Sequence, residues 1–275
     1  MATYNTNEQV YNAQGDKAIG SRLAAVICVL VQRGMFIAGF SPTNELLNIH
    51  YTSYNANKPV WALDFFEHIF STDPALANKD IVKGVFVSTD KTLIVPEELY
   101  SKEEAEKWLS RIHFVEATDL VCAYALDDEK AYYLQAVPVG MLELIKINFA
   151  RAEILPVSIY QFHNPNAGPY YTQICLSGEQ VSVTLHNAGR LLWHKVYGYS
   201  SAEDITYSLK QYCGESDIDP ALLNVSCTGL SASEFETINE LTQYFPKIKA
   251  GNGSDFTGMW DGAISLAQQL FACVS

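Results

Sequence analysis

Three short segments combine glycine with groups that can bind a phosphate or a metal ion. Arg33-Gly34 and Ser177-Gly178-Glu179 each follow an apolar run, and Thr228-Gly229 ends a third. Backbone amides and hydroxyls can donate to phosphate oxygens, and a carboxylate can hold a magnesium ion beside them. The chemistry that these segments would support is the binding of a nucleotide such as ATP with Mg²⁺. The candidate binding residues are Arg33, Gly34, Ser177, Gly178, Glu179, Thr228 and Gly229.

The first two segments lie at matching places in a pattern that occurs twice. Residues 23–55 and 170–199 each predict three successive strands, and the first hairpin of each turns on a lone glycine, Gly34 or Gly178. An amphipathic helix and another apolar strand follow in both copies. Equivalent positions are separated by 142 to 144 residues. This near-constant spacing favours a duplication over a chance similarity between two α/β stretches.

The repeated unit predicts an α/β protein with two ribonuclease-H-like lobes in an actin-like ATPase arrangement, each lobe a mixed five-stranded sheet flanked by helices. The turn-rich segment His163–Pro169 is the predicted boundary, which gives a first lobe at 21–163 and a second at 164–275. Residues 1–20 are polar and lack periodicity, so we expect a mobile arm there. Thr89–Val95 predicts a short hairpin arm inserted into the first lobe.

Serine and glutamate three residues apart predict capping boxes at three helix starts, Ser101–Glu104, Ser200–Glu203 and Ser231–Glu234. In a capping box, the serine hydroxyl and the glutamate carboxylate satisfy free amides of the first turn. This interpretation assigns Glu103, Glu104 and Glu106 to a solvated helix start rather than to acid–base catalysis.

Composition excludes some classes of partner. The formal net charge of −13 and a pI near 4.8 repel nucleic acid and anionic lipid. The longest apolar run, Leu23–Val31, is well short of the roughly 20 residues that a membrane helix needs. We therefore expect a cytoplasmic protein whose partner is another protein or a further copy of this chain.

Other reactive side chains favour ordinary structural roles. The six cysteines are scattered without a C-x-x-C pair, which predicts buried, reduced thiols. His186 and His194 flank a hairpin without a third ligand of fixed spacing, so strand histidines are favoured over a zinc site. Tyrosine is abundant, and an interface could use any of three groups: Tyr132-Tyr133, Tyr170-Tyr171, or Tyr197 and Tyr199.

Two further segments accompany the hairpin-helix-strand order: Lys91–Pro96 after the fourth strand, and Tyr199–Asp204 before the helix of the second lobe. Together these features resemble an uncharacterised bacterial family that is classed as a domain of unknown function. The resemblance covers most of the chain from about residue 20. It implies an actin-like ATPase fold and carries no established activity.

The resemblance also implies where the chemistry of an active relative would lie. In active actin-like ATPases, an acid, a glycine and a hydroxyl at the first hairpin of each lobe hold Mg²⁺ and phosphates, and a glycine pair after the second-lobe fourth strand packs on adenosine. Here no acid occurs between Asp16 and Glu45, and Thr228-Gly229 keeps one glycine of the pair. The sequence therefore predicts a non-catalytic binding or scaffolding module, a pseudo-ATPase with a degenerate cleft.

Two alternatives remain open at the level of sequence. The first is an active Mg-ATP-dependent ATPase or phosphotransferase of the actin and sugar-kinase type, which would use Ser177, Gly178, Glu179 and Thr228 with an acid such as Asp90. The second is self-assembly in the manner of actin-like filaments. A ribonuclease-H-like nuclease is disfavoured because neither predicted first strand carries the carboxylate that its two metal ions require.

Overall fold

The computed structural model describes residues 4–13, 23–162 and 169–275, which build three β-sheets with helices against them. The strands are β1 (Thr6–Asn12), β2 (Ala25–Val31), β3 (Gly34–Phe40), β4 (Leu46–Tyr54), β5 (Val82–Val87), β6 (Thr92–Pro96), β7 (Asp119–Leu126), β8 (Ala131–Pro138), β9 (Glu153–Pro156), β10 (Tyr171–Ser177), β11 (Gln180–Asn187), β12 (Arg190–Gly198), β13 (Asn224–Gly229) and β14 (Lys249–Ala250). The helices are α1 (Leu63–Thr72), α2 (Ala105–Ser110), α3 (Val139–Asn148), α4 (Ile159–Phe162), α5 (Ala202–Glu215), α6 (Phe235–Tyr244) and α7 (Asp261–Ala272).

The first sheet has the order β1-β4-β3-β2-β5-β9. Its β2 strand is buried along its whole length because both faces of the sheet are covered. Val26, Cys28 and Leu30 pack into a core with α1 and α3, whereas Ile27 and Val29 belong to a second core on the opposite face. Burial on two sides explains why this strand is a continuous apolar run.

Strand β1 corrects the expectation of a mobile arm over residues 1–20. Thr6–Asn12 pairs antiparallel with β4, so the first sheet has six strands rather than the predicted five. Most of its side chains are exposed or half-buried. Its place in the sheet rests on backbone hydrogen bonds, and the apolar pattern that normally indicates a strand is missing. Residues 14–20 of the predicted arm lie outside the described residues.

The second sheet has the order β12-β11-β10-β13-β14 and repeats the topology of β4-β3-β2-β5-β9. Its apolar side chains, among them Ile174, Val183 and Leu185, pack against α5 and α6. The opposite face, which is turned toward the first lobe, carries buried polar groups such as Gln173 and Thr184. The predicted lobe boundary at 163 and 164 lies outside the described residues.

Helices α4 and α7 lie between the two main sheets. Leu266 and Leu270 of α7 share one apolar core with Ile27 and Val29 of β2. The Phe271 ring stacks on Phe40 of β3, with ring centroids 4.0 Å apart. Helix α7, which sequence places in the second lobe, therefore also completes the core of the first.

The predicted hairpin arm at Thr89–Val95 is wrong in its pairing. Strand β6 pairs with β8, far along the chain, in a small sheet of order β6-β8-β7 that α2 covers. The predicted caps also differ in part. Ser101 makes no side-chain capping bond, and the box at α5 joins Ser201 to Asp204 rather than Ser200 to Glu203. The box at Ser231 and Glu234 is present.

Candidate functional site

The tips of the first hairpins of the two lobes meet. The prediction that Gly34 and Gly178 occupy equivalent turn positions is wrong. Val31 pairs with Gly34 and Ser177 pairs with Gln180, so the two-residue turns are Gln32-Arg33 and Gly178-Glu179. Gly178 has the positive φ of +69° that favours glycine. Gly34 is instead the first residue of β3.

Gly34 is required by close packing rather than by turn geometry. A Cβ atom there would lie 3.0 Å from the Tyr51 hydroxyl and 3.1 Å from the Thr52 carbonyl oxygen. The Tyr51 hydroxyl also lies near Gly178, 3.6 Å from where its Cβ would be. Tyr51 thus fills space between the two tips.

An ion pair joins the two hairpin tips. Arg33 of the first tip donates from Nη1 to the Glu179 carboxylate of the second, and its Nε donates to the Lys58 carbonyl oxygen at 3.3 Å. The cavity between the tips measures about 190 Å³. Ligand pockets are usually about 300–1,000 Å³, so this space is too small for a nucleotide.

A buried carboxylate, Glu234, occupies the amides that a phosphate would need. Its Oε1 accepts the Gly178 N–H at 2.8 Å, and its Oε2 accepts the N–H groups of Leu230 and Ser231. Its residue is only 5% exposed. A Cβ atom on Gly229 would lie 2.5 Å from Oε2, so glycine is required there to admit the carboxylate.

The protonation of Glu234 reflects its burial. Desolvation raises the pKa of this carboxyl to about 7, against the lowering effect of the three backbone hydrogen bonds. Burial, together with the charge of Glu234, also raises the pKa values of Tyr51 and Tyr199. These shifts follow from the enclosure of Glu234 between the hairpin tip and the end of β13.

The hydroxyls of the candidate set are engaged inside the protein. Ser177 Oγ lies 3.2 Å from Ser88 Oγ of the first lobe and donates to the Gln180 carbonyl oxygen at 3.2 Å. Thr228 Oγ1 lies 2.8 Å from the Tyr160 hydroxyl of α4. Both residues are buried. The structure therefore brings Arg33, Ser177, Gly178 and Glu179 together, while Thr228 and Gly229 line the adjacent strand end.

The residues present do not fit ATP with Mg²⁺. Glu234 holds the amides of the phosphate position, and Asp90 of the first lobe accepts from Gln32 Nε2 at 3.4 Å. Within residues 4–13, 23–162 and 169–275, no group of three or more His, Cys, Asp or Glu side chains is placed to hold a metal ion.

His186 and four of the cysteines are buried, while His194, Cys122 and Cys273 are half-buried. His194 Nδ1 is hydrogen-bonded to the Thr184 hydroxyl at 2.9 Å. Burial, together with the charge of His186, lowers the pKa of His194 to about 3. Glu129 lies 3.9 Å from His186 Nε2. All six cysteines are unpaired, and burial raises the pKa of the Cys175 and Cys273 thiols to about 11. Such thiols are poor nucleophiles.

Sequence reasoning identified Glu234 only as a helix cap. The signal that could have revealed more is its position, because Ser231-Ala232-Ser233-Glu234 follows Thr228-Gly229 with one residue between them. A cap placed so close to the end of β13 brings its carboxylate to the same amides that line the cleft.

Two sheets of matching strand order, joined by α4 and α7, define the actin-like ATPase fold. A solved structure from Bacteroides thetaiotaomicron, described as a protein with an actin-like ATPase fold and unknown function, matches with a TM-score of 0.70 at 13% identity; the match covers 90% of this chain and 96% of that chain. A structure of the PilM-PilN type IV pilus biogenesis complex matches with a TM-score of 0.54 at 11% identity, over 92% and 99% of the two chains. At these identities the likeness concerns the fold alone.

The chain belongs to the family of proteins of unknown function DUF3822, whose model matches residues 38–248. A comparison with curated proteins finds no match. No helix in the described part of the chain is long and apolar enough to cross a membrane.

Proposed function

We propose that this protein is a non-catalytic binding module of the cytoplasm, a pseudo-ATPase that arose by duplication and whose nucleotide cleft is filled by its own side chains. The observation that carries this proposal is the Glu234 carboxylate on the amides of Gly178, Leu230 and Ser231. A carboxyl group of the chain that already accepts these amides excludes the phosphate that catalysis would require. The Arg33–Glu179 ion pair supports the same conclusion.

Binding of another protein is the role that we assign to this scaffold. One protein of the same fold is described as part of a PilM-PilN complex, which supports a protein partner by analogy of fold. The acidic surface, with a net charge of −13, disfavours nucleic acid as the partner.

Calorimetric titration with ATP and Mg²⁺ tests the proposal. We expect no micromolar binding and no phosphate release by the wild-type chain, and micromolar binding with turnover would overturn the non-catalytic assignment. The active ATPase or phosphotransferase alternative, with Glu179 and Asp90 as its acids, requires such turnover. It would also require hydrolysis to fall in the Glu179→Gln variant.

Removal of the internal anion provides a matched test. We expect Glu234→Ala to bind inorganic phosphate in the millimolar range, because the three amides lose their acceptor and face an enclosed site. Glu236→Ala removes an exposed acid from the first turn of α6, and this variant should bind no phosphate. Equal phosphate binding by the two variants, or by neither, would show that Glu234 does not stand in for a phosphate.

A further inference from the structure

A groove runs beside the outer edge of the second main sheet. Among the residues that the structure describes, strand β12 is hydrogen-bonded to β11 alone, so its other edge carries backbone groups that no described strand of the sheet pairs. Helix α5 lies alongside, and the space between them measures about 560 Å³. The groove is lined by Lys195, Tyr197, Tyr199, Asp204, Tyr207 and Ser208 among others.

The groove beside α5 borders the second half of β12. At the first half, the Trp193 ring stacks on Tyr212 of α5 with centroids 4.8 Å apart, and the Tyr212 hydroxyl donates to the Leu192 carbonyl oxygen at 3.1 Å. These contacts close the edge there. The stretch from Lys195 to Gly198 remains beside the groove, and at about 3.4 Å per residue it matches a short extended segment.

The lining of the groove suits a protein segment. Tyr207 is 71% exposed, and the half-buried Tyr197 and Tyr199 line the strand side of the groove. Exposed tyrosines combine apolar area with a polar tip and are enriched where proteins bind one another. An edge strand beside such a surface binds an extended peptide through main-chain hydrogen bonds, with side chains in the groove giving specificity.

The charge of the groove favours some extended protein segments over others. Glu203 and Asp204 lie in the groove, and the whole chain carries a net charge of −13. Two copies of this chain would repel each other over this edge, whereas a basic segment would be attracted. Lys195 lies over the Tyr197 ring, 5.3 Å from its centroid, so its charge is held against the tyrosine.

We propose that this groove binds an extended, positively charged segment of a partner protein, which adds a strand to the edge of β12. The inference rests on the proposed binding function and names the surface and the chemistry of the partner. It does not depend on whether the cleft at Glu234 admits a nucleotide.

The test uses three synthetic peptides of about ten residues and calorimetric titration. The first alternates lysine with valine, the second alternates lysine with proline, and the third alternates glutamate with valine. We expect the lysine–valine peptide alone to bind, because proline lacks the backbone donor and glutamate has the wrong charge. Hydrogen exchange should slow at the amides of 195–198 when it binds.

A pair of exposed substitutions locates the binding. Tyr207→Ala should weaken the lysine–valine peptide by about fivefold or more, the loss expected for an interface aromatic. Ile147 lies on the first lobe and is 80% exposed, and its replacement by alanine should leave peptide binding unchanged. Absence of binding, equal binding of the lysine–proline peptide, or no effect of Tyr207→Ala would overturn the proposal.

Self-association provides the remaining decisive result. Sedimentation should show a monomer, and slowed exchange at 195–198 that depends on protein concentration would assign the edge to a second copy instead. Turnover of ATP would contradict the non-catalytic function without affecting the peptide result, so the two failures are distinguishable.

Discussion

Glu234 carries the largest consequence of any single residue. It caps the start of α6 through Ser231 and also fixes the tip of a hairpin in the second sheet through Gly178. Under the proposed function, its carboxyl group occupies the position of a nucleotide phosphate. Its burial imposes a cost on ionisation that the three amides offset only in part.

Stability should therefore depend on pH through Glu234. Since its pKa is about 7 in the folded chain and 4.5 ordinarily, the folded state keeps a proton between these values that the unfolded state has lost. The contribution is most favourable below about pH 4.5, declines as the pH rises, and levels off above about pH 7. Across this window the free energy of unfolding should fall by about 3 kcal/mol on account of this group.

Denaturant unfolding at a series of pH values measures this effect. The difference between wild type and Glu234→Gln should change across the window, because glutamine does not titrate. Glu236→Gln removes an exposed acid of α6 and should show no such change. A pH-independent difference for Glu234→Gln would contradict the raised pKa.

Among the elements, hairpin turns show where sequence reasoning succeeds and where it stops. The apolar run of β2 and the alternation in β4 predicted both strands, since burial on one or two faces leaves a periodic trace. Strand β1 left no such trace because backbone pairing holds it. The matching of Gly34 with Gly178 was wrong because glycine serves packing in one place and turn geometry in the other.

The candidate site was predictable in its location and less so in its contents. Sequence placed Arg33 and Glu179 at equivalent hairpins, and the structure joins them in an ion pair. The contact from Glu234 to Gly178 could not be predicted, because it joins residues 56 positions apart through the packing of α6 on the sheet. Local patterns identify a capping glutamate but not a second, tertiary partner.

Two glycine substitutions should have opposite effects on stability. Gly178→Ala forces a side chain into positive φ, so we expect a loss of about 1–2 kcal/mol. Gly214→Ala lies near the end of α5, where a Cβ atom meets nothing within 4 Å, and should stabilise the helix by about 0.5 kcal/mol. Urea midpoints measure both changes, and a shift of the same sign in the two variants would contradict this account.

At the scale of the whole molecule, we expect the two main sheets to unfold as one cooperative structure. Helix α7 contributes Leu266 and Leu270 to the core behind β2, and α4 lies against the second sheet through Tyr160 and Gln161. Gln161 donates to the carbonyl oxygens of Gln173 and Ser182, which ties this short helix to β10 and β11. Contacts of this kind link the two lobes, and we expect them to oppose the lobe motion that a nucleotide cycle would use.

Loss of one ring in α7 should therefore destabilise both lobes together. Phe271 is buried against Phe40, and its replacement by alanine should lower the free energy of unfolding by about 3–5 kcal/mol. Variants that keep only Trp61 or only Trp193 place a fluorescent probe in the first or the second lobe. Both probes should report a single shared urea midpoint. Phe271→Ala should shift this midpoint equally for both probes. Phe114→Ala, a substitution at a residue that is 81% exposed, should leave the midpoint unchanged. If the midpoint shifted for the Trp61 probe only, α7 would stabilise the first lobe alone. The coupling between the lobes would then rest on Glu234 and the Arg33–Glu179 pair.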